Sequence, residues 1–118
     1  MSAKTRVYQA GSVHTTGPQS VALVAKLLEG YCAVTIQASG NGRAVGGGSM
    51  HFQLFAGVEA ADGVLTLVGK KELSRVASQA MNAAAVDLVI QGQYLLLTVS
   101  GVAGKEIDWF GEIFVQVN

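Results

Sequence analysis

Two histidines, one cysteine and a few acids near the C-terminus are the groups with which this chain could do chemistry. A metal centre needs several ligands that converge. His14, His51 and Cys32 stand singly, with no CxxC, HxH or HExxH spacing, so no metal ligand is assigned. His51 lies in a strand-like stretch and reads as a surface or hydrogen-bonded histidine. Cys32 sits in an apolar run and reads as a buried, inert thiol. The string Gly47-Gly48-Ser49-Met50-His51 comes nearest to a nucleophile elbow, which needs glycine two residues after the serine. His51 occupies that place. The run Gly40–Gly48 (GNGRAVGGG) lacks the Lys-[Ser/Thr] ending of a phosphate loop. It reads as a turning β connection whose glycines permit close backbone approach. Glu106, Asp108 and Glu112 could supply a carboxylate pair. Asp108 and Glu112 fall on one strand face, ~13 Å apart at ~3.3 Å per residue, too far for direct acid–base work. Trp109 shares its face with Ile107 and Ile113 and reads as a core anchor. The chain is expected not to be an enzyme, with no catalytic residue, metal or cofactor.

The elements that would position these groups are strands. Turn signals at Gly17-Pro18, Glu29-Gly30, Asn41-Gly42, Asp62-Gly63, Gln91-Gly92 and Gly101 to Gly104 cut the chain into short pieces. In Glu106–Val117, Ile107, Trp109, Ile113, Val115 and Val117 share one face. Asp108, Phe110, Glu112, Phe114 and Gln116 take the other. Phe110 and Phe114 give that second face an apolar character, which marks it for subunit contact. Gln93–Ser100 alternates likewise, and Val86, Leu88 and Ile90 precede it. Tyr31–Ala38 is rich in β-branched residues. His51–Gly57 and Val64–Val68 resemble a hairpin turning at Asp62-Gly63. Two segments are ambiguous. Val21–Leu28 could hold one or two helical turns. Leu73–Leu88 has apolar residues at spacings of three and four and is rich in alanine. A short helix within 73–85 is one reading, and a strand pair or irregular connection is the other. Residues 1–10 hold few core formers and read as an N-terminal arm, leaving 11–118 as one domain.

With 118 residues, the chain fits one core without metals or disulfides. Half its residues are hydrophobic and only 14% are charged, against about 25% in a typical domain. So little charge leaves apolar surface exposed, which points to self-association or attachment to a larger assembly. Eight basic and eight acidic residues cancel, and no basic patch marks a nucleic-acid partner. The first ten residues lack the apolar stretch of a secretory leader, so none is expected. Apolar runs such as Val21–Ala25 and Tyr94–Leu97 are far short of a membrane span, so no membrane partner is expected.

Thr66-Leu67-Val68-Gly69 is followed by Val89, Gly92, Leu95, Leu97, Val99, Gly101, Gly104, Ile107, Trp109, Ile113 and Val115. This series resembles a small β domain that recurs in structural proteins of tailed phages, and Gly40–Phe55 corresponds to its preceding strand. The resemblance covers Gly40 to Asn118. The family commonly carries tryptophan in its variable stretch, whereas Leu73–Ala85 has none. The motif consists of turn glycines and core positions, so it speaks to fold and implies no catalytic residue. The expected fold is an all-β, antiparallel, jelly-roll-like β-sandwich. The expected function is a virion structural protein, first a capsid decoration or cement protein that binds the assembled head. The alternative is a receptor-binding tail-fibre module, with Tyr8, Tyr31 or Phe110 stacking on a host-surface glycan. Expected partners are further copies in a homotrimer and the major capsid protein or another virion protein. The expected location is the virion, after synthesis in the host cytoplasm. Subunit contact is assigned to Arg6, Val7, Tyr8, Phe110 and Phe114.

Overall fold

The computed structural model describes residues 5–28 and 30–117. Among the described residues eight strands run in the order β1 (Thr5–Thr15), β2 (Ser20–Leu27), β3 (Ala33–Ala44), β4 (Ser49–Ala61), β5 (Val64–Ala77), β6 (Ala85–Gln91), β7 (Tyr94–Ser100) and β8 (Ile107–Val117). They form a five-stranded sheet, β1-β8-β3-β4-β5, packed on a three-stranded sheet, β2-β7-β6. Every pairing is antiparallel. The expected all-β sandwich is therefore present. First pairs with last and second with next-to-last, the nested winding on which a jelly roll is built. β3, β4 and β5 depart from that winding and run as a meander within one sheet.

Period-2 alternation decides what each sheet buries. The inner face of the large sheet carries Val34, Ile36 and Ala38 of β3 and Met50, Phe52, Leu54, Ala56 and Val58 of β4. From β8 it adds Ile107, Trp109, Ile113 and Val115. The small sheet answers with Leu88, Leu95, Leu97 and Val99, all fully buried. A glycine row brings the two layers together. Gly11, Gly111 and Gly40 lie side by side across β1, β8 and β3. A Cβ on Gly111 would stand 2.6 Å from Leu23 Cδ2, and one on Gly40 would collide with the Phe110 carbonyl oxygen. Leu23 and Leu97 sink into the space a Gly111 side chain would fill, and the Phe52 ring into that beside Gly40. Gly42 plays the same part beside Trp109, whose ring covers it. Gly40 and Gly42 thus lie inside a strand, and the expected turn at Asn41-Gly42 does not form. The turn comes at Gly46–Gly48, where all three glycines have positive φ.

Both ambiguous segments are mostly strand. Val21–Leu27 belongs to β2. Leu73–Ala77 completes β5, opposite Met50–Leu54 of β4. Only Gln79–Met81 coils, in one 3₁₀ turn. Two contacts hold this stretch out of a helix. Ser78 bonds both backbone groups of Ser49, and Arg75 donates to the carbonyls of Asn82 and Ala84 at 3.0 and 2.7 Å. The hairpin at Asp62-Gly63 forms as expected, both residues with positive φ, the signature of a type I′ turn. Residues 5–10 of the expected arm are the start of β1, paired with β8. Residues 1–4 lie outside the described residues.

Candidate functional site

The outer face of the five-stranded sheet carries most of the large exposed apolar side chains. Strand register arranges it in rows. Tyr8, Phe114, Gln37 and Phe55 form one, across β1, β8, β3 and β4. Ala10, Glu112, Ser39, Gln53 and Ser74 form the next. Ser12, Phe110, Asn41, His51 and Val76 form a third. Along β8, Phe110 and Phe114 make a ridge, interrupted by Glu112. Along β3, Gln37, Ser39 and Asn41 make an uncharged floor. β4 and β5 raise the opposite side with His51, Phe55 and Leu73. Two shallow hollows result, about 500 Å³ between Phe110 and Ser74 and about 290 Å³ between Phe114 and Leu73.

Of the residues assigned to subunit contact, Tyr8, Phe110 and Phe114 are on this face, 52%, 43% and 44% exposed. Tyr8 and Phe114 meet with ring centroids 5.0 Å apart and planes tilted by 51°, a favoured aromatic arrangement. Val7 does not share that face. Strand alternation turns it inward beside Val115, half-buried against the core. Arg6 pairs with Gln116 along the backbone, and its side chain lies outside the described residues. Tyr31 is also half-buried against the core, so it does not join the exposed rings.

The reactive groups are placed as follows. Trp109 is a core anchor, 1% exposed, and its indole N–H donates to Thr15 Oγ at 3.0 Å. Cys32 is not the buried thiol expected: it is exposed, standing just before β3 where its carbonyl accepts from Ala60 N–H. Ser49 and His51, two apart on one strand face, bring Oγ and Nε2 to 3.3 Å. None of the described hydrogen bonds joins that ring to a carboxylate, so the orienting acid of a triad is missing. His14 is the histidine with acids. Its Nδ1 lies 2.7 Å from Asp108 Oδ1 and its Nε2 3.3 Å from Glu106 Oε1. Asp108, then Glu106, raises its pKa above the usual 6.5, and slight desolvation opposes them. Sequence spacing gave no sign of this trio, because His14 lies 94 residues from Asp108 and only the β1–β8 register joins them. Among the described residues no group of three His, Cys, Asp or Glu is placed to hold a metal ion.

No family model matches this chain, and no curated protein matches it. Among solved structures it is similar to the tailspike protein of Acinetobacter baumannii phage AM24, with TM-score 0.48 and 10% identity over 95% of this chain and 26% of that one. It is also similar to the tailspike protein of Acinetobacter phage vB_ApiP_P1, with TM-score 0.42 and 16% identity over 98% of this chain and 22% of that one. The chain spans about a quarter of the length of these tailspike proteins.

Proposed function

We propose that this chain is a non-enzymatic structural module of a tailed-phage virion that works by laying the outer face of its five-stranded sheet on another protein surface. The observation that carries this reading is the row-ordered apolar face. Tyr8, Phe55, Leu73, Val76, Phe110 and Phe114 stay exposed beside a core that is already filled. Large apolar side chains left exposed together on one sheet face, between polar rows, mark an interaction site. The resemblance of Thr66–Val115 to a phage structural domain directs the choice of partner. The first form of the reading is head decoration, with the major capsid protein as partner and the virion as location. A module that binds only the assembled shell stabilises it by mass action, and many copies multiply the effect.

One observation favours a second form, a receptor-binding module that takes a host-surface glycan. Gln37, Ser39, Asn41 and Gln53 form a floor of groups that both donate and accept, beside the aromatic ridge of Phe110 and Phe114. Sugar hydroxyls have the same dual character, and sugar C–H faces suit aromatic rings.

Co-sedimentation of the purified protein with heads lacking it separates the two. Saturable binding in many copies per head is expected for decoration. Binding to host envelope with none to heads would replace decoration by the receptor reading, and binding to neither would overturn both.

A further inference from the structure

We propose that β1 is an open edge that joins a second copy of this chain, β1 against β1, about a two-fold axis. β1 pairs with β8 through eleven consecutive positions without a register shift. In such a ladder alternate residues turn their N–H and C=O groups away from the neighbouring strand. Among the described residues, none of the backbone hydrogen bonds outside the ladders begins or ends on β1. Its outward row is therefore a template for another strand.

The other edges are guarded. β5 is broken by two register shifts and carries Lys70, Lys71 and Arg75. Lys70 reaches across to Asp87 at 2.7 Å and to the Leu88 carbonyl at 3.2 Å, which ties the β5 edge to β6, and Arg75 reaches Asn82 and Ala84 in the connection just before β6. β2 is eight residues long, carries Lys26 and shifts register between Ala22 and Val24. Bulges, lysines and short edges are the devices by which sheets avoid joining. β1 has no shift, no lysine and no proline, and its one arginine, Arg6, stands at its second position.

A second copy is the occupant that fits. The formal net charge is zero, so two copies meet without long-range repulsion. Antiparallel pairing of one strand with itself is a closed, isologous contact. It would fuse two five-stranded sheets into one and move Tyr8 from the rim of the aromatic face to its interior. The contact sets a stoichiometry of two, where the sequence expectation was three. It does not depend on whether the outer face meets a head or a glycan.

The test compares the solution mass of the unmodified chain across concentration with that of Ala10→Lys/Ser12→Lys. Both side chains lie on the outer face of β1, so the fold is retained, while like charges would oppose each other across the new ladder. A dimer weakened at least about tenfold by the lysines, together with β1 amides whose hydrogen exchange slows as concentration rises, is the expected result. A monomer at every concentration, a trimer, or a dimer with freely exchanging β1 amides would overturn the proposal. If the lysine variant does not fold, hydrogen exchange on the unmodified chain decides alone. Head binding by a folded monomer would leave the decoration reading standing while this inference falls.

Discussion

The indole N–H of Trp109 and the hydroxyl of Thr15 form a buried pair, 3.0 Å apart, that ties the end of β1 to β8. Thr15→Val keeps the shape and removes the acceptor. The indole N–H is then left in an apolar interior, at a cost of about 1–3 kcal/mol. Thr15→Ser, which keeps the oxygen, is expected to lose less. Urea unfolding of the three proteins checks the order; equal stability of Thr15→Val and the parent would show that the bond contributes nothing.

The glycine row makes a sharper prediction. Gly111→Ala places a methyl group against Leu23 and Leu97, and Gly40→Ala places one against the backbone of β8. Each is expected to destabilise by about 1–3 kcal/mol or more through overpacking. Gly69, in β5, faces open space with ordinary backbone. Gly69→Ala should be neutral or slightly stabilising. Thermal melts of the three variants test the contrast, and similar losses at all three positions would contradict it.

His14 links stability to pH. Its folded pKa is raised, so the folded state holds the proton more tightly than the unfolded chain. That contribution is complete below the unfolded value near 6.5 and is lost as pH rises through the folded value. The group is solvent-exposed, so added salt should weaken the effect. The melting temperature should fall as pH rises above about 6.5, and His14→Gln should flatten that part of the profile. An unchanged slope in the variant would remove His14 as its source.

The aromatic face should be separable from the fold. Phe110→Ser and Phe114→Ser alter exposed side chains, and surface changes usually stay within about 0.5 kcal/mol. Loss of Tyr8–Phe114 contact could add about as much again. Partner binding, to heads or to envelope, should fall by tenfold or more in the double variant at nearly constant melting temperature. A variant that binds like the parent would move the interaction site elsewhere.

Legibility in the sequence followed the range of the forces involved. β8 was readable because one strand's alternation is local, and Trp109 was placed correctly on its inner face. The hairpin at Asp62-Gly63 was readable because its turn chemistry is local too. Gly40 and Gly42 read locally as a turn because the reason for each is a distant neighbour, Gly111 or Trp109. Leu73–Ala77 kept a helical spacing, yet pairing with β4 and the reach of Arg75 decided its backbone. Val7 and Tyr8 read alike as parts of an arm, and only the partner strand shows that they point to opposite faces. Phe110 and Phe114 were assigned to the exposed face by alternation alone. The floor between them and β4 depends on the β8-β3-β4 order, which no local pattern encodes.

β8 lies between β1 and β3, although it follows every other described strand in the chain. The large sheet therefore cannot close until its C-terminal strand slots between two that were made much earlier. Until then β1 and β3 have no shared neighbour, and the apolar row from Val34 to Ala38 waits uncovered on one side. Long-range pairing of this sort is slow, in the millisecond-to-second range for all-β domains. The same insertion that makes the finished sheet hard to unzip from its middle makes the unfinished chain prone to the wrong partner, so refolding yield should fall as protein concentration rises.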